Sequence, residues 1–321
     1  MRILITAPYN EQGRTRLGSA LGEIIYKEWK TNGRAYNEQE LSKLIRETGA
    51  DALITEHDQV SAKVINENPE LRFIGVCRGT PSNVDLEAAK ASGIPVFHTP
   101  ARNAQAVAEM LIANVINLMR NTIPSWKWLT GRNWGEGAHT SYLEFKGNEM
   151  AGKSIGIVGF GAVGQRIAGI LKAFPCEIGY YDPFITESFA DYHELSLGEI
   201  FSTSDVVSIH LPVNDQTMGL IDSRLISLMK PDAIFVNTAR ASVVKRSDLL
   251  QAIEDGKIRG AVLDVFDHEP PDEIDYRLIN HPNVLATPHT AGATFEVEDH
   301  HVEILNEKIF TWFADATVKS H

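Results

Sequence analysis

Cysteine is almost missing from this chain of 321 residues: only Cys77 and Cys176 occur, far apart and without metal-ligand spacing. That excludes a disulfide framework and a cysteine zinc site, leaves no metal to expect, and suits a reducing, cytoplasmic compartment. A cationic surplus is missing too. The chain holds 30 lysines and arginines against 42 acids, for a formal charge of −12, which argues against a nucleic-acid surface. An anionic small molecule is not excluded, because a local group of arginines overrides net charge. Nor is there a long apolar run. The most apolar segment, residues 104–119, is broken by Gln105, Glu109, Asn114 and Asn117, so it reads as a buried helix and no membrane partner is expected. The opening MRILITAPYN reads as a strand entering a loop, with no apolar stretch leading to a cleavage site. Nothing repeats at a fixed period, and no segment is low in complexity.

What is present is ordinary for a soluble globular protein, 43 % hydrophobic and 22 % charged residues, in a length that suits two medium domains. Short apolar runs alternate with helical patterns. Strands are predicted at ILITA (3–7), DALIT (51–55), RFIGVC (72–77) and PVFHT (95–99). Between them NEQELSKLIRETG reads as a helix with Asn37 as N-cap and Gly49 as its stop. After a long helix over about 102–120 comes an irregular stretch carrying Trp126, Trp128 and Trp134, and then a second series: SIGIVG, EIGYYD, VVSIHL, AIFVNTA, AVLDVF and VLATPH. Such alternation predicts an α/β protein with two doubly wound parallel sheets covered on both faces. The last helix, over about 294–314, has no sheet partner of its own and is assigned to the first domain. The predicted domains are therefore 1–101 with 293–321, and 102–292.

Gly159, Phe160, Gly161, Ala162, Val163 and Gly164 follow the strand SIGIV and open a helix. In a G-x-G-x-x-G turn the first glycine permits the bend, the second lets backbone approach a pyrophosphate, and the third lets helix and strand pack closely. Amides near Ala162 and Val163 then hold the phosphates. Asp182 ends the next strand, 18 residues past Gly164, where an acid chelates the adenosine ribose hydroxyls. A carboxylate there repels a 2′-phosphate, and Pro183, Phe184 and Ile185 offer no cation for one, so NAD is expected over NADP.

Three polar residues stand at or just past the carboxyl ends of later strands, where ligands of open α/β sheets collect: Arg240 after VNTA, Glu269 after LDVFDH, and His289 after LATP. With NVDLEAAKASGIPVFHTP, AVAEMLI, VVSIHLPVNDQT, GAVLDVF-x-x-EP and TPHTAGAT in order, the chain resembles the D-isomer-specific 2-hydroxyacid dehydrogenases over nearly its whole length. The resemblance implies a Rossmann NAD-binding domain inserted in a flavodoxin-like substrate domain, and hydride transfer between nicotinamide and the alpha carbon of a 2-hydroxy or 2-keto acid. It makes Arg240 the substrate-binding arginine, Glu269 the acid that orients the histidine, and His289 the catalytic acid/base. It sets Asp264 at the nicotinamide amide, His210, Pro212 and Thr217 in the cofactor-lining loop, Thr238 and Ala239 at the nicotinamide ribose, and Val107 beside the ring. His210 also reads as a strand-end packing residue, and His268 as exposed. The chemistry stands without the resemblance. An imidazole near pKa ~6.5 exchanges a proton with the carbonyl oxygen at neutral pH, a carboxylate on its other nitrogen favours the imidazolium, and a guanidinium grips a carboxylate with a planar fork.

The chain departs from the family pattern in two places. The loop before NVD, whose amides bind the substrate carboxylate in relatives, is Cys77, Arg78, Gly79, Thr80, Pro81 and Ser82, with an arginine where glycine is common. After Arg240, the usual glycine is Ala241 and the usual acids are Lys245 and Arg246. Arg78, with Arg102 just after the strand carrying His98, points to a second anionic group on the substrate, such as the phosphate of 3-phosphoglycerate, with Gly79 and Thr80 adding donors; the alternatives are that Arg78 pairs with Asp85 or Glu87, or grips the substrate carboxylate itself. Only 32 residues follow His289, so a regulatory domain with serine feedback is not expected. A homodimer through the NAD-binding domains follows from the resemblance, with the stretch 126–145 as a candidate arm, although an apolar core satellite is the plainer reading of that stretch. An NAD-sensing corepressor on the same fold is the alternative from another class, though the long flanks that would support it are not in this sequence. A formate dehydrogenase is disfavoured by Glu269.

Overall fold

Runs of aliphatic and β-branched residues form strands here because both faces of each sheet are covered. The structure, a computed structural model, describes residues 1–135, 139–187 and 189–318, with side chains through 315. Residues 136–138 of the tryptophan-bearing stretch and the last three of the predicted segment 293–321 lie outside the described residues. The chain divides into two units, Met1–Asn103 with Thr294–His321, and Ala104–Ala293.

In the first unit, β1 (Arg2–Ile5), β2 (Glu23–Tyr26), β3 (Ala52–Thr55), β4 (Ile74–Val76) and β5 (Val96–His98) form a sheet in the order β2-β1-β3-β4-β5, every pair parallel. The order reverses between β1 and β3, a flavodoxin-like arrangement. The sequence predicts four of these strands. β2, EIIY, is an edge strand whose residues are only partly covered, so it lacks the fully apolar run that marks the others. The helix Glu38–Thr48 shows its predicted ends. Asn37 Oδ1 accepts from the amides of Gln39 and Glu40 at 3.0 Å, the Glu40 carboxylate accepts from Asn37 N–H at 3.1 Å, and Gly49 stops the helix at φ +61°.

The terminal helix Glu296–Val318 packs on this sheet. Val302, Leu305 and Ile309 join Ile3, Ile5 and Phe73 in one buried cluster. Gly75 on β4 makes room for it, since a Cβ there would come within 3.0 Å of Leu305. Polar seams fix the helix's register: His301 Nε2 lies 2.7 Å from the Pro8 carbonyl, Tyr9 donates to Asn306 Oδ1 at 2.7 Å, and Lys308 donates to the His98 carbonyl at 2.8 Å.

The second unit holds β6 (Ser154–Val158), β7 (Glu177–Tyr181), β8 (His193–Glu194), β9 (Val206–Ile209), β10 (Ile234–Asn237), β11 (Gly260–Leu263) and β12 (Val284–Ala286). Their order is β12-β11-β10-β9-β6-β7-β8, all parallel, with the switch point between β6 and β9. β8, two exposed residues long, carries no sequence signal. The helix Ala104–Met119 buries Ala108, Leu111, Ile112 and Val115 in a cluster with Ile155, Ile157 and Ile167. Among the described residues, no helix is long and apolar enough to cross a membrane.

Candidate active site and cofactor cradle

At the carboxyl end of β6, the three glycines of the turn differ in what surrounds them. Gly159 sits at φ +92°, and a Cβ on it would lie 2.7 Å from the His210 carbonyl oxygen. On Gly164 a Cβ would strike the Gly159 carbonyl at 2.4 Å, whereas on Gly161 it would meet nothing within 4 Å. Gly161 therefore faces open space at the start of the helix Ala162–Leu171, whose first amides, including those of Ala162 and Val163, have no intrahelical acceptor. Asp182 accepts from Phe160 N–H at 2.8 Å and Phe184 N–H at 3.0 Å. Two backbone donors thus hold the carboxylate beside the glycine turn. This geometry gives an expected outcome. The ratio of kcat/KM for NAD over NADP exceeds one and shrinks in Asp182→Ala; a measured NADP preference would overturn the assignment of Asp182.

His210 lies just past β9, its Nε2 2.7 Å from Ser208 Oγ, and burial pushes its imidazole down to about 3. It is a neutral, packed histidine at neutral pH. Pro212 and Thr217 close the following loop on themselves: the Thr217 hydroxyl donates to the Pro212 carbonyl at 2.6 Å and accepts from Asn214 N–H at 2.9 Å. Val107 is buried on its helix, 6 % exposed.

The turn after β10 is shaped by Asn237, a residue the sequence reading quoted but did not single out. Its Oδ1 accepts from Ala239 N–H and its Nδ2 donates to the Arg240 carbonyl, both at 3.0 Å. The Thr238 hydroxyl oxygen in that turn is buried without a partner. A buried, unsatisfied hydroxyl is costly, and a ligand hydroxyl would satisfy it. With the open space at Gly161, this is what a dinucleotide cradle requires, so the residues present fit NAD. Arg240 is exposed; its Nη1 reaches the Ala239 carbonyl at 2.6 Å, and no carboxylate pairs with it among the described residues.

His289 follows β12 in the left-handed region, φ +53°. Its Nδ1 lies 2.9 Å from both oxygens of Glu269, and the two side chains are 49 % and 45 % exposed. Asp264, 2 % exposed, holds this turn: its carboxylate accepts from the Thr287 hydroxyl at 2.5 Å and from the amides of Thr290 and Ala291 at 2.9 Å each. The sequence reading gave Asp264 a nicotinamide contact; its visible work is to fix the backbone on which His289 stands. A cavity of about 400 Å³, walled by Phe266, Tyr276 and Ile279, opens beside the pair. His268 is exposed, as expected, with Nδ1 3.0 Å from Asp272.

In the first unit, Arg78 is half-buried after β4, its Nη1 3.4 Å from His57 Nδ1. No carboxylate pairs with Arg78 among the described residues, while Asp85 caps the helix Leu86–Ala91 instead, accepting from Ala88 N–H. Gly79 and Thr80 are exposed beside it, and the Gly79 carbonyl lies 2.8 Å from His98 Nδ1. Arg102 does not join Arg78 as a free cation: its Nη1 lies 3.3 Å from the buried Glu56. His57, which packs edge-on against Trp29 with ring centroids 5.3 Å apart, was missed at the sequence level. It meets Arg78 only because β3 and β4 pair.

A glycine cradle and a histidine–carboxylate pair on the carboxyl edge of one doubly wound sheet define a dinucleotide-dependent oxidoreductase. Residues 112–291 match the family model of the D-isomer specific 2-hydroxyacid dehydrogenase NAD binding domain. YoaD of Bacillus subtilis (strain 168), named as a 2-hydroxyacid dehydrogenase, is 57 % identical over 318 residues, covering 99 % of this chain and 92 % of its own. The hydroxypyruvate reductase of Thermotoga maritima is 33 % identical over 286 residues, covering 88 % and 91 %. Among solved structures, D-2-hydroxyisocaproate dehydrogenase shares the fold with a TM-score of 0.80 at 24 % identity, over 96 % of this chain and 95 % of that one. The chain belongs to the D-isomer specific 2-hydroxyacid dehydrogenase family, as an NAD-dependent enzyme.

Proposed function

We propose that Arg240, Glu269 and His289 divide the chemistry of this family's reaction, and that the substrate carries a second anionic group, as a phosphorylated three-carbon sugar acid does. The carrying observation for the chemistry is the contact of His289 Nδ1 with Glu269 at 2.9 Å. It leaves Nε2 to give a proton to the carbonyl oxygen of a keto acid and to retake it in the reverse direction. Bound NADH supplies the hydride. Arg240, unpaired with any acid among the described residues, grips the substrate carboxylate and polarises the carbonyl. The glycine turn and Asp182 hold the pyrophosphate and adenosine ribose, and the turn Thr238–Ala239 takes the nicotinamide ribose. The segment 1–101 with 293–321 serves the substrate, and 102–292 the cofactor.

The second anion rests on Arg78, a guanidinium without an acidic partner among the described residues, with exposed Gly79 and Thr80 next to it. Planar N–H forks suit phosphate. The test is a panel of 2-keto acids followed by NADH absorbance, with hydroxypyruvate and its 3-phosphate as the deciding pair. The phosphate ester should have the higher kcat/KM in the wild type, and Arg78→Ala should remove that preference. Equal values in the wild type would refute the phosphate reading without touching the family reaction.

A homodimer through the cofactor unit is supported by the arm after the long helix, where Trp126, Leu129, Trp134, Tyr142 and Leu143 are each at least half exposed. A cytoplasmic location is supported by the two free cysteines, Cys77 buried and Cys176 partly so.

A further inference from the structure

The charge reversal after Arg240 finds its physical reason in the segment that carries Glu269. Residues 267–275 hold five acids in nine positions: Asp267, Glu269, Asp272, Glu273 and Asp275. Arg246, the first residue of the helix Arg246–Glu254, turns its guanidinium onto three of them. Its Nε lies 3.1 Å from Asp267, its two terminal nitrogens each donate to Asp272 at 2.8 Å, and Nη1 lies 3.0 Å from Asp275, whose side chain is 1 % exposed. Asp275 in turn accepts from the backbone amides of His268 and Asp272, and Asp272 caps the helix Glu273–Ile279. The ligand atoms of His268, Asp272 and Asp275 cluster as a metal site would, but the guanidinium already bonds both carboxylates and is the cation of this cluster. Its hydrogen bonds hold Asp272 down to about 2, while burial pushes the Asp267 carboxyl up from its ordinary value.

Glu269 lies between the two tied flanks. Among the described residues its carboxylate has no partner except His289, so its place is set by the backbone on which it sits. We propose that Arg246 is a positioning residue for proton transfer: by tying Asp267 on one side of Glu269 and Asp272 and Asp275 on the other, it holds the Glu269 carboxylate against His289 Nδ1. The inference rests on the assignment of Glu269 and His289 as the acid–base pair. A segment this acidic, without its cation, spreads by self-repulsion and carries Glu269 away.

The experiment compares the whole enzyme as wild type, Arg246→Gln, Arg246→Lys, Arg246→Gln with Asp275→Asn, and His289→Ala. It uses the 2-keto acid turned over fastest in the panel above. Read out are kcat and KM for reduction across pH, NADH binding by fluorescence, and the melting temperature. Arg246→Gln should lose about 10–10²-fold in kcat, as expected for a misplaced catalytic group, while KM and NADH affinity stay within about twofold. Its high-pH limb for reduction should move to lower pH, because a displaced carboxylate stabilises the imidazolium less. Lysine should restore part of the rate. The double variant, relieved of the buried unpaired Asp275, should recover its melting temperature and remain slow. Wild-type kcat and pH limb in Arg246→Gln, or full recovery of rate in the double variant, would overturn the proposal. If His289→Ala keeps its turnover, the acid–base assignment itself fails; if His289→Ala is inactive and Arg246→Gln behaves as wild type, only the role of Arg246 falls.

Discussion

In a His289→Ala variant, kcat for keto-acid reduction falls by about 10²–10⁴, the usual worth of a positioned acid/base, and NADH binding survives. The two halves of that expectation have separate structural grounds. The cradle proposed for the dinucleotide consists of the turn after β6, Asp182 and the turn shaped by Asn237, and its main contacts do not draw on the imidazole. In the proposed mechanism the proton path depends on it wholly, because Glu269 takes Nδ1 at 2.9 Å and leaves Nε2 for the substrate. Removing the ring leaves water as the proton source. Glu269→Gln is the graded version. An amide still bonds Nδ1 but stabilises the imidazolium less, so the high-pH limb of the reduction profile moves to lower pH while the low-pH rate is retained in part. Steady-state rates across pH, with NADH fluorescence as the binding control, check both. Near wild-type turnover in His289→Ala would sink the mechanism.

Arg240→Lys is the second large loss, about 10²–10³ in kcat/KM, comparable to deleting a donor aimed at a developing oxyanion. Charge is conserved in this substitution, so an electrostatic role alone predicts little change. Geometry predicts otherwise. The guanidinium is presented from a turn pinned by Asn237 and, among the described residues, bonds only its neighbour's carbonyl, so its planar fork is available for a carboxylate. An ammonium on a flexible stem reproduces the charge and neither the fork nor the second contact to the carbonyl. Kinetics of the lysine and alanine variants separate the parts. Lysine performing like wild type would reduce Arg240 to a point charge.

Much of this architecture was legible because it is local. The stretches ILI (3–5), ALI (52–54), IGIV (155–158) and IFV (234–236) are continuous apolar runs buried in their sheets, and the glycine turn, Asp182, Arg240, Glu269 and His289 sit in motifs a few residues long. What the sequence hid is what depends on meeting across the fold. Nothing near His57 marks it, since its neighbour Arg78 is 21 residues away and reaches it only through strand pairing. Asn237 reads as part of a strand end, and only the turn geometry shows it bonding both Ala239 and Arg240. Arg246 reads in the sequence as a loss of the family's acids, and only the fold gathers Asp267, Asp272 and Asp275 around it. Arg102 went the other way: read from the sequence as a second cation beside Arg78, it is spent on Glu56.

The insertion of residues 104–293 into the first unit bears on how the molecule is made. β1 to β5 are all synthesised by residue 98, yet Val302, Leu305 and Ile309, which cover Ile3, Ile5 and Phe73, come some two hundred residues later. At ribosomal speeds the first sheet waits on the order of ten to forty seconds with that face covered only in part, by Leu17 and Leu21 of the helix Glu11–Leu21. The inserted unit, contiguous in sequence and with cores of its own, has no such wait. The half of the protein that leaves the ribosome first is therefore the half that finishes folding last, and it is this half that a chaperone would have to shield during synthesis.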